Sequence, residues 1–374
     1  MTRHRTRGVR TLAFLAACAF AFKAGGAGVP LDEIRQVLRE QALTTPAESL
    51  LHDLDAANLA GGLQAIDPAA RYFPRALYRS PNQGRDAMSG IGAELLPSGD
   101  DLWLLPFQGG AAAAAGLTDR ARLRTIDGRS IAGLSLDEIA QRLRGPAGTR
   151  VVIGIEDAAG GARRLKIERR SFRPLDVELV QPGAHRILRV REFVAGLTRP
   201  ALLATVDFIE HAGAFQSEQH PIILDLRDAT GGDLFEALDI AALFLPEGAQ
   251  LATLAARGGV AKTIRAPAGT ALEQPLILLI GPGTASAAEI LAGILRDHGR
   301  ARLVGQTTYG KCDSQTDVRL SDGSVLRFTD RAVRLPSGEH CSGVGIAPDL
   351  AVDTATLNDL SRLVPRAIGA IHER

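Results

Sequence analysis

Aromatic residues make up only 4% of this 374-residue chain, with one tryptophan and three tyrosines. The core must therefore be built from Ala, Leu, Ile and Val rather than from stacked rings. Charge of one sign is also lacking. Lys and Arg number 43 against 42 Asp and Glu, a formal net charge of +1, so neither a nucleic-acid partner nor an acidic tail is suggested. Past the N-terminus, no run of about eighteen apolar residues occurs, and no internal transmembrane helix is expected. There is no HExxH, no CxxC and no complete P-loop, so no metal and no other cofactor is implied.

Cysteine is scarce too, at three residues. Cys18 lies in the N-terminus, where Arg3, Arg5, Arg7 and Arg10 precede the apolar run TLAFLAACAFAF and the small residues KAGGAG. That layout is a secretory signal peptide over residues 1–28, which predicts a periplasmic or otherwise exported protein. Leu15-Ala16-Ala17-Cys18 also has the form of a lipoprotein cleavage box, so membrane attachment through the N-terminus stays open. Export would leave Cys312 and Cys341, which can pair in an oxidising compartment or remain two buried thiols. Pairing would stiffen the loop that carries Lys311.

Residues 29–87 read as helical, with LDEIRQVLREQAL and AANLAGGLQAI at helical spacing. Residues 88–172 read as a mainly-β module. It has short strands, a hairpin signal at Asp127-Gly128, and a helix with Ser135 as N-cap and Glu138 completing a capping box. From residue 173 to residue 374 strands alternate with helices, which implies crossover units and a largely parallel sheet. Function should gather at the carboxyl ends of those strands, where Gly231-Gly232 and the segment Gly283 to Ser286 fall.

Two residues carry the chemistry. Ser286 lies where a Gly/Pro turn runs into an apolar helix, GPGTASAAEILAGIL, a setting that presents a hydroxyl outward near a positive helix end. Lys311 follows in VGQTTYGKCDSQT. A lysine titrates near 10.4 in water, but burial disfavours its charge. A base poised near pH 7–8 needs a shift of roughly three units, or about 4 kcal/mol. Gln315 could orient the neutral amine without adding charge. The amides of Ala287 and of Gly231 or Gly232 are the candidate oxyanion donors, with Gly231 preferred. Asp225 and Arg227 read as a structural ion pair, and His298 as a surface or capping residue. A Ser–His arrangement finds no motif around His185, His211, His220, His298 or His340.

The segments LDLRDATGGDLFEALDIAALFLP, GPGTASAAEILAGILRDHGRARLVGQTTYGKCDSQT, LSDGSVLRFT and LPSG…GVGIAPD resemble the C-terminal processing peptidases, also called tail-specific proteases. The resemblance covers essentially the whole chain beyond the signal. It implies an α/β core with a crotonase/ClpP-like sheet and flanking helices, plus a mainly-β PDZ domain and an N-terminal helical segment. It also implies a serine endopeptidase with Ser286, Lys311 and Gln315 as its catalytic members. GIGAEL, AAAAAGL, LRTIDGRSIAGLSLDEIAQRLRGPAGT and RVVIGI resemble a bacterial PDZ domain, in which Ser89, Gly90, Ile91 and Gly92 would bind a peptide's terminal carboxylate. The implied partners are proteins or peptides with exposed C-termini. The chain departs from the family in Thr284 and Ala288, in Asp67-Pro68-Ala69-Ala70, and in Cys312 beside the lysine. A catalytically weak peptide-binding or scaffold protein of the same fold, and a hydrolase of small esters or amides, are the rival readings.

Overall fold

The computed structural model describes residues 29–371 except 76–77, 79–87, 99–100, 108, 158–159, 173–176, 183–184, 212–220, 260 and 270. The signal segment and Cys18 lie outside the described residues.

A six-stranded sheet organises the C-terminal half. Its order is Val177–Val180, Ile187–Val190, Ile222–Asp225, Leu276–Ile280, Ala301–Gly305 and Leu350–Ala351. Only the first pair is antiparallel. The three strands from Ile187 to Ile280 are buried along their whole length, which explains their mostly apolar sequences, broken only by Arg189 and Asp225, which pair with each other. Alternate side chains serve opposite faces. Leu188, Leu224 and Leu278 pack under the helices Thr198–His211, Leu234–Ala242 and Ala287–Asp297. Ile187, Ile223 and Ile277 pack against the helix Leu360–Gly369 on the other side.

A second, antiparallel sheet joins Arg71–Phe73, Val325–Arg334, Gln250–Ala256 and Ala261–Arg265, with Ser314–Arg319 also paired to Val325–Arg334. The strands at Val177–Val180, Gln250–Ala256 and Ala261–Arg265 were not expected from the sequence. The helical pattern of the N-terminal region breaks at DPAARYFP, where Arg71–Phe73 extends and pairs with Val325–Arg327. Three residues have too little pattern to declare a strand; pairing decides them. The N-terminal helices then cover this sheet, with Ile34, Leu38, Leu51 and Leu63 packed on Leu326 and Phe328.

Residues 91–167 supply a core cluster of their own. Five strands between Ala93 and Glu168 pair in sequence order β-meander fashion apart from the short Arg129–Ser130 excursion, and the helix Leu136–Leu143 covers them. Asp127 and Gly128 both take positive φ, 48° and 77°, as a tight hairpin turn demands. Glu138 and Ser135 complete a capping box, with the Glu138 amide donating to Ser135 Oγ and the Ser135 amide to Glu138 Oε2. Met88–Gly90 pairs with Arg170–Phe172, so chain entry and exit of this module lie together.

Candidate active site

The strand Leu276–Ile280 ends in a turn that delivers Ser286 to the start of the helix Ala287–Asp297. Ser286 takes φ 58°, ψ −125°, a conformation that L-residues avoid and that turns its side chain out of the helix line. Thr284 supports the turn from inside. It is fully buried, its hydroxyl donates to the Leu226 carbonyl at 2.7 Å, and it accepts from the Gly281 amide at 2.9 Å. The departure at Thr284 is therefore a packing residue.

Gly231 sits directly against the nucleophile. A Cβ built there would lie 2.6 Å from Ser286 Cβ and 3.1 Å from Ser286 Oγ, and its φ is +107°. Gly232, at φ +122°, is equally committed to glycine, because a Cβ would fall 2.2 Å from the Phe193 carbonyl oxygen. The neighbouring strand pins this turn: the Phe193 amide donates to Gly231 O at 2.8 Å, and the Asp233 amide to Phe193 O at 2.7 Å. Those two bonds use the outer groups of the turn. Among the described residues the amides of Gly231, Gly232 and Ala287 donate to no acceptor; Gly232 and Ala287 line the cavity beside Ser286, while Gly231 packs against Ser286 without lining it.

Ser286, Ala287, Gly232, Lys311 and Gln315 line one cavity of about 560 Å³. No hydrogen bond joins Ser286 Oγ to Lys311 Nζ, a looseness usual for catalytic groups without substrate. Lys311 is held below its ordinary pKa, first by burial and then by Arg327 and Arg71, with Asp67 opposing them. Both effects favour the uncharged amine that a proton acceptor must be. Gln315 reaches the cavity from the strand Ser314–Arg319, but Lys311 precedes that strand, so the two are not alternate residues of one strand as the sequence suggested.

Glu289 is the residue that sequence reasoning overlooked. Its side chain is wholly buried. One oxygen accepts from the Ser286 amide at 2.9 Å and the Lys311 amide at 2.7 Å. The other accepts from the Gly310 amide at 2.6 Å and from Thr308 Oγ1 at 2.5 Å. A single carboxylate thus ties the backbone of the nucleophile to the backbone of the base. The signal was present, since Ser286-Ala287-Ala288-Glu289 has the S-x-x-E spacing that marked Ser135–Glu138. Asp67 is a second such residue. It accepts from the Thr329 amide at 2.7 Å, and Thr329 is the register partner of Gln315. The N-terminal segment therefore buttresses the strand pair behind Gln315.

Lys311 is followed by Cys312, which forms a disulfide with Cys341 at a Cα–Cα distance of 5.5 Å. Gly310 packs on the loop that contains Cys341; a Cβ there would meet the Val344 and Gly345 nitrogens at 3.1 Å. Asp225 and Arg227 face each other in a buried two-pronged pair at 2.8 and 2.9 Å, joined by Arg189 at 3.0 Å. Burial opposes their charges, and the mutual attraction overcomes it, holding Asp225 ionised. They brace the sheet beneath the turn and do not line the cavity. His298 bonds the Gln250 carbonyl at 2.7 Å at the end of its helix, and no described histidine lines the cavity.

Ser89, Gly90, Ile91 and Gly92 lie elsewhere. With Leu95, Leu143 and their neighbours they line a groove of about 370 Å³ between the first strand of the 88–172 module and its helix. Arg191 bridges the two sites. Its guanidinium donates to Glu94 at 2.7 Å, to the Pro106 carbonyl at 2.8 Å and to Glu178 at 3.2 Å, and it stacks over Phe107. Glu94 and Phe107 line the groove, while Glu192, Phe193 and Val194 line the Ser286 cavity. No group of His, Cys, Asp or Glu among the described residues is arranged to hold a metal ion.

Comparison with known proteins is consistent in direction. Residues 188–352 match peptidase family S41. A CtpA-like serine protease of Staphylococcus aureus is 29% identical over 303 residues, which is 79% of this chain and 59% of that protein. The chain thus spans about three fifths of the length of that relative. A carboxy-terminal-processing protease of Bartonella bacilliformis is 29% identical over 338 residues, 86% of this chain and 74% of that one. Among solved structures, the photosystem II D1 C-terminal processing protease superposes with a TM-score of 0.59 at 25% identity, covering 90% of this chain and 96% of its own.

Proposed function

We propose that the chain, whose residues 188–352 match peptidase family S41 and which is similar to carboxy-terminal-processing proteases, is a serine endopeptidase working through Ser286 and Lys311 on the C-terminal tails of proteins. The observation that carries this reading is a strained serine at a helix start. It shares its cavity with a lysine of lowered pKa that remains accessible to solvent in the open cleft, and its backbone is locked to that lysine by Glu289.

The chemistry runs as follows. Ser286 Oγ attacks a peptide carbonyl in the cavity while the neutral Lys311 amine takes the hydroxyl proton. The negative charge that develops on the carbonyl oxygen is met by the amides of Ala287 and Gly231, with Gly232 beside them. Lys311, now an ammonium, returns the proton to the departing amine, and an acyl group remains on Ser286. Water then attacks that ester, giving its proton to Lys311, and Ser286 is released. Gln315 keeps the amine aligned as a neutral partner; a carboxylate in its place would restore the lysine's charge.

The 88–172 module fits the role of a PDZ domain in this scheme. Its groove is lined by Ile91, Leu95, Leu136 and Leu143, which suits an apolar tail residue, and Gly90 to Gly92 offer backbone to a terminal carboxylate. Arg191 gives that groove a direct mechanical connection to the wall of the cleft, so tail capture and cleft geometry are coupled. The signal-like sequence of residues 1–28 supports an activity outside the cytoplasm, in the periplasm or at a membrane surface.

Incubating the full chain with peptides that differ only at their C-termini tests the reading. Cleavage by wild type, its loss in Ser286→Ala and Lys311→Met, and a dependence on the free tail are expected. Tail binding that survives in a wild type that never cuts would instead favour a peptide-binding scaffold. Turnover of short esters with no response to tails would favour a small-acyl hydrolase.

A further inference from the structure

Lys311 hangs between two anchors. Ahead of it, the amides of Gly310 and Lys311 itself are fixed to Glu289. Behind it, Cys312 is fully buried and bonded to Cys341. The other links on this second side are polar, and several are partly exposed. The Cys312 amide donates to Ser342 Oγ at 3.2 Å, Ser342 Oγ donates to Asp313 at 2.9 Å, and Asp313 meets His340 at 2.6 Å, where the histidine is 34% exposed. The Gly343 amide donates to the Gly310 carbonyl at 2.8 Å. Every one of these partners belongs to residues 340–343, the turn that Cys341 secures. The chain enclosed by the bridge is the hairpin of Ser314–Arg319 and Val325–Arg334, which has its own pairing and its own packing under the N-terminal helices. That pairing and packing hold the hairpin by contacts other than the bridge.

We infer that the Cys312–Cys341 disulfide is a positioning element for the Lys311 amine, and that peptide-bond turnover is conditional on its oxidation while the fold and tail binding are not. The inference rests on Lys311 being the general base. Reduction by a dithiol such as dithiothreitol breaks the S–S bond. The dithiol supplies two electrons and two protons, two cysteine thiols form, and the reductant closes to its cyclic disulfide. Glutathione disulfide reverses the change and leaves as two glutathione thiols. With the bridge open, residue 311 keeps its Glu289 anchor on one side, while on the other only the polar links to residues 340–343 remain. A displacement of about 1 Å at a reacting group lowers a rate by about 10²-fold. The charges that act on Lys311 are those of Arg327, Arg71 and Asp67. They are held by Asp317, by the Pro68 carbonyl and by Thr329 respectively, with no cysteine involved. The Asp313–His340 hydrogen bond, next along the chain, is one of the polar contacts the open bridge would loosen.

The test compares oxidised wild type, dithiothreitol-treated wild type and Cys312→Ala/Cys341→Ala, all as full chains, with iodoacetamide alkylation and mass measurement to count free thiols. The expected result is a kcat lower by about 10- to 100-fold in both bridge-free forms, with unchanged binding of a tail peptide. Turnover should return on reoxidation of wild type, and the double variant should not respond to dithiothreitol. A bridge that only stabilises the fold would lower the melting temperature and leave kcat and its pH profile as they were; that outcome overturns the inference. A readout independent of turnover is the pH dependence of Lys311 acetylation by acetic anhydride, with exposed Lys166 and Lys262 as references. Lys311 should titrate higher once the bridge opens, and identical titration in both redox states also overturns the inference. If the oxidised protein cuts nothing yet Lys311 shifts, the peptidase reading fails while the positioning role stands.

Discussion

Replacing Glu289 with glutamine changes one oxygen for an NH₂ group in a wholly buried site, and its consequence can be worked out atom by atom. The NH₂ cannot take the position that faces the Ser286 and Lys311 amides, because both are fixed donors. It must face Thr308 Oγ1 and the Gly310 amide instead. The threonine hydroxyl can turn and accept, although it already accepts from the Ile346 amide. The Gly310 amide cannot. One charge-assisted hydrogen bond, worth about 1.5–3 kcal/mol, becomes a clash of two donors with a buried group left unsatisfied. The net loss should be about 3 kcal/mol. For a cooperative unit the size of the peptidase core this lowers the thermal midpoint by about 6–12 °C. Gly310 then moves off, and Lys311 moves with it, so kcat on a tail peptide should fall by about 10- to 100-fold at temperatures where the variant is folded. Circular dichroism melts and steady-state kinetics read the two effects separately. A Glu289→Gln protein that melts like wild type and turns over within twofold of it refutes the clamp.

Gly231→Ala should abolish turnover, because its Cβ would overlap Ser286 and the φ of +107° strains any other residue; a kcat within tenfold of wild type would show that this turn does not carry the oxyanion donors. Lys311→Met should reduce kcat by about 10²- to 10⁴-fold. It should also change stability with a definite sign. The folded protein holds the Lys311 proton less firmly than the unfolded chain, so charging the lysine destabilises the fold, and the penalty is relieved as pH rises from the lowered pKa toward 10.5. The variant should therefore melt above wild type at pH 7 and converge with it by about pH 11; melts that stay parallel across that window contradict the desolvated lysine. Ala140→Trp, which fills the groove of about 370 Å³, should weaken binding of a tail peptide by at least about tenfold while leaving cleavage of tail-independent sites measurable. Unchanged tail affinity would place the recognition surface elsewhere.

The parallel sheet was legible because Ile222–Leu224 and Leu276–Ile280 are apolar throughout and are followed by glycine turns. The nucleophile was legible for the same reason: a turn, a serine and an apolar helix in immediate succession. Gln250–Ala256 and Ala261–Arg265 were not, since QLATLAA and AKTIR carry weak local preference and become strands only by pairing with Val325–Arg334 and with each other. Glu289 was hidden by its own ordinariness. A glutamate three residues into a helix is a capping residue on most helices, and only the return of Gly310 and Lys311 to the same carboxylate shows its second task. The link through Arg191 was out of reach of sequence, because Glu94, Pro106, Glu178 and Arg191 are brought together by tertiary packing alone.

Labelling Ser286 with a fluorophosphonate across a pH series, in wild type and in Lys311→Met, addresses the dyad without any assumption about substrate or tail. The expected result is a single adduct on Ser286 whose rate in wild type rises through the lowered lysine pKa and all but vanishes in Lys311→Met. An adduct that forms equally fast without the lysine, or a Ser286 that never reacts in the oxidised, folded wild type, would contradict a serine activated by an uncharged Lys311.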